Sequence, residues 1–315
     1  MSRPMKKAKN DAIYYAIRGL IFIFENLPRE IVLKMAVMFG EIFALFAKQD
    51  MQLAIANLTK VYGKEWSENK IRVVARECFI QTARNAADVI HSRTWNAEEM
   101  KRLVQVEGME YFDQALAKNN GIIAITGHIG NFELLAAYFS AVKKLPVSVI
   151  GRKVYDERLD DLIVENREKW GMENIPSDAN AKRFYGALKA NRTIGVLMDL
   201  DSSRISGIHV PFFGYPAKTA AGPVVIGRRA GSPIVPLALF RTQDDKYLLK
   251  ILPVIEIPET DNKDDDIKAT LVKCNEALEI LIRHDPTQWA WMHNRWKSKP
   301  PVEESVKGVL ERAGV

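Results

Sequence analysis

Hydrophobic and polar positions divide the chain into two unequal parts. In residues 1–50 the apolar positions almost close the helical circle. Asp11, Arg18 and Glu25 lie seven apart, and so do Lys34, Glu41 and Lys48. Seven residues is about two turns, so each set draws a narrow polar stripe on an otherwise apolar helix. Leu27-Pro28 separates the two helices. Neither run reaches the ~18 uninterrupted apolar residues of a simple membrane span. The expectation is a membrane-associating, apolar helical hairpin over 1–50, embedded in one leaflet and helped by the basic start at Arg3, Lys6, Lys7 and Lys9. A tilted single span and a pair of buried core helices are the alternatives.

Residues 51–315 read differently. Helical periodicity runs from Lys70 to Arg93, with His91 near its end as a surface or capping histidine. Val104 and Val106 alternate with polar neighbours as a short strand does, and Glu107 to Lys118 forms an amphipathic helix. Beyond it, strands are predicted at Ile122–Thr126, Pro146–Ile150, Thr193–Met198, Ile234–Phe240 and Tyr247–Val254. Helices are predicted between and after them, at Asn131–Val142, Leu159–Trp170, Ala181–Ala190, Lys218–Ala230 (with Thr219 as its cap) and Asp264–Arg283. This alternation implies an α/β domain, a mainly parallel or mixed sheet flanked by helices.

Composition narrows the function classes. Hydrophobic content of 47% supports a large core, and a net charge of +6 suits an anionic partner. Nucleic acid is not the expected one, because the basic residues are dispersed and no binding module is recognisable. The two cysteines, Cys78 and Cys274, make no metal pattern and point to a reducing compartment. The sequence contains no HExxH, P-loop or GxSxG, which argues against a serine-nucleophile hydrolase.

The chemistry concentrates in Asn120–Ser140. A β-branched apolar run ends at Thr126, Gly127 breaks it, His128 follows, and Gly130-Asn131 offers a helix start with Glu133 in the first turn. That places His128 at the carboxyl end of a strand, where ligands bind in open α/β sheets. An imidazole accepts a proton well near pH 7, and a carboxylate on its far nitrogen fixes the tautomer. Inside one helix an offset of five rotates two side chains by roughly 140°. Glu133 therefore reaches His128 only if His128 lies in the turn before the helix.

The block TGHIGNFE, Gly151-Arg152, Met198-Asp199 followed by Val210-Pro211-Phe212-Phe213-Gly214 and Ala217-Lys218-Thr219, and Gln288 to Lys297 (QWAWMHNRWK) together resemble, in order, the motif blocks of the late acyltransferases of lipid A biosynthesis, within the lysophospholipid acyltransferase superfamily. Leu200 and Asn294 depart from the pattern, where many members have Gln and a second Arg. The resemblance implies transfer of a fatty acyl chain from an acyl thioester, of acyl carrier protein or alternatively coenzyme A, to a hydroxyl of a lipid A precursor or another anionic membrane lipid. It places the enzyme on the cytoplasmic face of the inner membrane. His128 is then the base and Glu133 its orienter, with neither metal nor cofactor required. Arg152, Asp199, Arg295 and Lys297 are the candidate substrate-binding residues, and Phe212-Phe213 belong either to the core or to an acyl pocket or membrane contact. The oxyanion donors are backbone N–H groups of the Gly127–Asn131 turn, or Arg152. Two alternatives stand beside this reading: acylation of a glycerophospholipid, ornithine lipid or glycolipid, and a non-catalytic lipid-binding protein.

Overall fold

The computed structural model describes residues 3–202 and 206–300. Helices α1 (Arg3–Asn26), α2 (Arg29–Phe46), α3 (Lys48–Tyr62) and α4 (Glu68–His91) come first. The chain continues through α5 (Ala97–Leu103), β1 (Val104–Glu107), α6 (Met109–Ala117), β2 (Ile122–Thr126), α7 (Phe132–Ala137), β3 (Val147–Gly151), α8 (Glu157–Lys169), β4 (Glu173–Pro176), α9 (Ala181–Lys189) and β5 (Thr193–Leu197). After these come β6 (Gly207–Phe212), β7 (Tyr215–Ala220), α10 (Gly222–Ala230), β8 (Ile234–Arg241), β9 (Tyr247–Ile251) and α11 (Lys263–His284).

Seven strands form one sheet in the order β1-β9-β8-β2-β5-β3-β4. Every neighbouring pair is parallel except β8 with β9. The sheet is buried on both faces, as parallel sheets are. Alternate residues of β2 enter two different cores. Ile123 and Ile125 pack with Val224 of α10 and Leu271 and Leu278 of α11. Ile122 and Ala124 pack with Phe112 of α6 and Leu134 and Leu135 of α7. The central strand is thus buried at every position and apolar from Ile122 to Ile125, and polar chemistry enters with Thr126 and the turn beyond its carboxyl end.

The N-terminal helices break at Leu27-Pro28 as expected, but they do not pair as a hairpin. Instead α2 lies along α4, and α1 also touches α4. The contact is close: a Cβ on Gly40 would lie 2.7 Å from the Cα of Ile80. Val32, Leu33 and Ala36 are buried there, while Met38, Phe39, Ile42, Phe43, Leu45 and Phe46 stay exposed. No helix among the described residues is long and apolar enough to cross a membrane.

The same junction holds a buried ionic network. Arg29, the first residue of α2, grips Asp88 of α4 through Nε (2.8 Å) and Nη2 (2.7 Å). Arg241 of β8 pairs with the same carboxylate at 2.7 Å, and the Tyr247 hydroxyl donates to it. Asn131 then donates to the Tyr247 oxygen at 3.2 Å. His91, expected as a surface or capping histidine, is the last residue of α4 and is buried beside this network, accepting from Trp95 Nε1 on one ring nitrogen and facing the Leu27 carbonyl with the other.

Two sequence expectations fail around residue 219. Thr219 lies in β7 and does not cap a helix; α10 begins only at Gly222. The reason is a separate antiparallel hairpin, β6 with β7, whose turn carries positive φ at both Phe213 (50°) and Gly214 (75°).

Candidate active site

His128 stands in the turn between β2 and α7, at the carboxyl ends of the parallel strands. Parallel pairing of β2 with β5 brings Asp199 to the same edge, because Asp199 follows β5 as His128 follows β2. Asp199 Oδ1 lies 2.9 Å from His128 Nδ1, and Oδ2 accepts the His128 backbone N–H at 2.6 Å. Trp289 Nε1 donates to Oδ2 at 2.8 Å. Gly127 is required by this approach, since a Cβ there would fall 2.8 Å from the carboxylate. Gly130 turns the chain at φ 53°, and an added Cβ would collide with the Leu239 carbonyl. Asn131 then caps α7 by accepting from Leu134 N–H at 3.2 Å.

The electrostatics follow from these contacts. Burial opposes the charge on Asp199, but the His128 imidazole, the Trp289 N–H and the His128 backbone N–H outweigh it, and the carboxyl is held well below its usual range. Burial likewise opposes imidazolium at His128. The Asp199 carboxylate, bonded to Nδ1, outweighs it with a smaller contribution from Glu133, and the His128 pKa rises above its ordinary 6.5. With Nδ1–H donated to an ionised carboxylate, Nε2 carries the lone pair. The pair is built to take a proton at Nε2.

Glu133 does not fill the orienting position expected of it. Its carboxylate faces Arg167 of α8, at 2.6 and 3.1 Å, and Arg167 also donates to Asn174 at 2.6 Å. Asp199 occupies the imidazole nitrogen that Glu133 was expected to reach, so the link from Glu133 to His128 is one of charge and not of hydrogen bonding. Glu133 and Arg167 are the charged lining of an apolar cleft between α7 and the sheet, walled by Phe132, Leu135, Phe139, Val149, Gly195 and Leu237. Phe132 also packs edge-on against the His128 ring at 5.1 Å, so the cleft adjoins the base.

The remaining sequence candidates separate. Arg152 is exposed directly after β3, on the same sheet edge as His128 and Asp199. Lys297 is exposed as well. Arg295 is not available to a ligand: it is fully buried, donates to Lys218 O and Thr219 Oγ1, and lies over the Phe212 ring at 4.8 Å. Phe212 and Phe213 are core, packed on Trp289. The backbone N–H groups of His128, Gly130 and Asn131 are donated to Asp199, Gln288 O and Leu239 O, so these three are not free to bind an oxyanion. Sequence reading placed Asp199 among the substrate contacts and did not find Trp289 or Arg167 at the site. Asp199 had a signal, its place after a strand, but its partner is 71 residues away.

The family profile described as bacterial lipid A biosynthesis acyltransferase matches residues 4–298. The lipid A biosynthesis lauroyltransferase of Escherichia coli (strain K12) is 25% identical over 288 residues, 90% of each chain. The lipid A biosynthesis palmitoleoyltransferase of the same strain is 22% identical over 290 residues, 91% of this chain and 92% of the other. A phosphatidylinositol mannoside acyltransferase of Mycolicibacterium smegmatis is 22% identical over 244 residues, 76% of this chain and 77% of the other. Among solved structures, the 1-acyl-sn-glycerophosphate acyltransferase of Thermotoga maritima matches with a TM-score of 0.36 and 13% identity, covering 81% of this chain and 99% of that one. The His128–Asp199 pair beside an apolar cleft therefore sits in a chain whose family match spans nearly its whole length: it belongs to the bacterial lipid A biosynthesis acyltransferase family, and it is an acyltransferase.

Proposed function

We propose that this enzyme transfers a fatty acyl chain from the thioester of an acyl carrier protein to a hydroxyl of a lipid A precursor, at the cytoplasmic face of the inner membrane. The observation that carries the reading is the His128–Asp199 pair, with Nε2 free to act beside a cleft lined mainly by apolar side chains. His128 Nε2 removes the hydroxyl proton of the acceptor as its oxygen attacks the thioester carbonyl. The tetrahedral intermediate collapses, the C–S bond breaks, and the thiolate takes the proton back from Nε2. Asp199 positions the imidazole and stabilises its cation between the two transfers. The acyl chain lies in the cleft, with the Glu133–Arg167 pair fixing one wall. Arg152, exposed on the catalytic edge, meets the phosphates of the acceptor, and Lys297 adds positive charge to the same anionic lipid.

The exposed apolar side chains of α1 and α2, among them Phe22, Phe43, Leu45 and Phe46, support anchoring of residues 1–50 in a lipid surface. Replacing Phe22, Phe43 and Phe46 together by Ser is expected to lower co-sedimentation with anionic vesicles at least tenfold while the thermal midpoint stays put. Unchanged vesicle binding would remove the anchoring assignment. A second acceptor class, a phosphoinositol glycolipid, is favoured by the similarity to phosphatidylinositol mannoside acyltransferases. The deciding assay gives the purified full chain an acyl carrier protein thioester with each acceptor in turn and identifies the product by mass spectrometry. Turnover with the lipid A precursor and none with the glycolipid is expected. The reverse pattern overturns the acceptor, and full activity in His128→Ala overturns the base.

A further inference from the structure

A second imidazole lies against the base. The His293 and His128 rings are 4.6 Å apart, centroid to centroid, with 58° between their planes. Backbone contacts fix that spacing from both sides. Ala290 N–H donates to the His128 carbonyl at 3.1 Å, Gly130 N–H donates to Gln288 O at 2.8 Å, and His293 N–H donates to Ala290 O at 3.0 Å. On the far side the buried amide of Asn57, on α3, donates to both Trp291 O and His293 O at 2.9 Å. The segment that holds Asp199 through Trp289 thus also holds His293 at a set distance from the proton acceptor.

Nothing among the described residues hydrogen-bonds to the ring nitrogens of His293, and the ring is only half-buried. A polar group is pinned beside the base with its own hydrogen-bonding capacity unused by the fold. Burial, joined by the nearby His128, holds this imidazole below its ordinary range, with Asp199 and Asp50 acting the other way. It is neutral at pH 7 and carries one N–H. The reaction needs such a donor. The N–H groups of His128, Gly130 and Asn131 are already engaged.

We propose that His293 is a further catalytic residue, whose neutral imidazole N–H binds the thioester oxygen as it becomes the tetrahedral oxyanion. This rests on His128 acting as the base. The reacting carbonyl must lie against the hydroxyl that His128 deprotonates, so its oxygen comes within reach of a ring packed on His128. The C–O bond forms as the hydroxyl proton moves to His128 Nε2; the C–S bond then breaks and the sulfur leaves with that proton. His293 transfers none. It stabilises negative charge between the two events without placing a second cation beside His128.

The test compares His293→Phe, which keeps a ring and loses the N–H, with His293→Gln, which keeps an N–H donor. Both are assayed as full chains with an acyl carrier protein thioester and the lipid acceptor. Removal of one oxyanion donor is expected to lower kcat by about 100-fold in His293→Phe with KM nearly unchanged. His293→Gln is expected to recover about tenfold of that, at matched thermal midpoints. The same order is expected for slow hydrolysis of the thioester by water when acceptor is omitted. Wild-type kcat in His293→Phe overturns the proposal, and so does equal loss in both variants, which would mark a packing role. His128→Ala is run in parallel: if it retains activity the base reading fails, whereas an inactive His128→Ala beside a fully active His293→Phe removes His293 alone.

Discussion

Asp199 accepts from the His128 backbone, faces the His128 ring and accepts from Trp289, so one carboxylate fixes both the position and the tautomer of the proposed base. Asp199→Asn keeps the shape and removes the charge. With burial then the main influence on His128, its pKa falls, and the acid limb of kcat/KM moves to lower pH while the rate drops by about 10²–10⁴. With His128 as the proposed base, that limb is expected above pH 6.5 in the wild type, because the His128 pKa is raised and the base acts deprotonated. A pH–rate profile of both proteins measures this. Glu133 acts through a different partner. Glu133→Gln and Arg167→Gln are each expected to impair turnover, and the double variant to be no worse than the more damaging single one, since both break the same pair. Additive losses in the double-mutant cycle would place Glu133 in independent contact with the reaction. The sequence made His128 legible because its signal is local: a strand, a glycine and a helix start. The orienting carboxylate was not legible, because Asp199 reaches His128 only through the pairing of β2 with β5, and a nearer carboxylate at a plausible spacing stood in for it.

Among the elements, the long strands and amphipathic helices were readable from periodicity, and the sheet class with them. The β6–β7 hairpin was not. Its turn uses Phe213 at positive φ, where Asn or Gly gives the usual signal, and its strand β7 carries Pro216 and Lys218. Burial of Phe213 against Trp289 and Trp291 compensates that backbone, so the information lies in a contact distant in sequence. Packing of α7 against the sheet creates the cleft, and β5 contributes its smallest wall residue. A Cβ at Gly195 would come no nearer than 3.7 Å to Val149, so a larger side chain fits there by filling the cleft. Gly195→Leu is therefore expected to keep the fold and shift the transferred chain to a shorter length. Mass spectrometry of the product from a mixed pool of acyl thioesters reads the shift directly; an unchanged length distribution would place the acyl chain elsewhere.

At the scale of the molecule, the buried carboxylate of Asp88 joins α2, α4 and the sheet. Burial disfavours its charge, but Arg29, Arg241 and the Tyr247 hydroxyl outweigh that and lower its pKa. Asp88→Ala takes from the buried Arg241 its nearer carboxylate, leaving Asp245 at 3.7 Å, and is expected to cost about 3–5 kcal/mol of stability, measured by denaturant unfolding at pH 7. The sign with pH is fixed by the lowered pKa: the contribution is complete above the ordinary carboxylate range and is lost as pH falls through the folded value. The gap between wild type and Asp88→Ala should narrow in acid. Neither Arg29 nor Arg241 is marked by the sequence pattern, since Arg29 opens a helix and Arg241 ends a strand, and each reads as a solvated terminal charge until Asp88 is in view. The network also has a mechanical consequence. Because Arg29 and Asn131 end on the same buried cluster, a hydrogen-bonded chain through Asp88 and Tyr247 links α2 to the turn that carries His128. Under the anchoring proposed for residues 1–50, the surface that receives α2 would set the height and angle of the enzyme above it, and with them the depth at which an acceptor hydroxyl is presented.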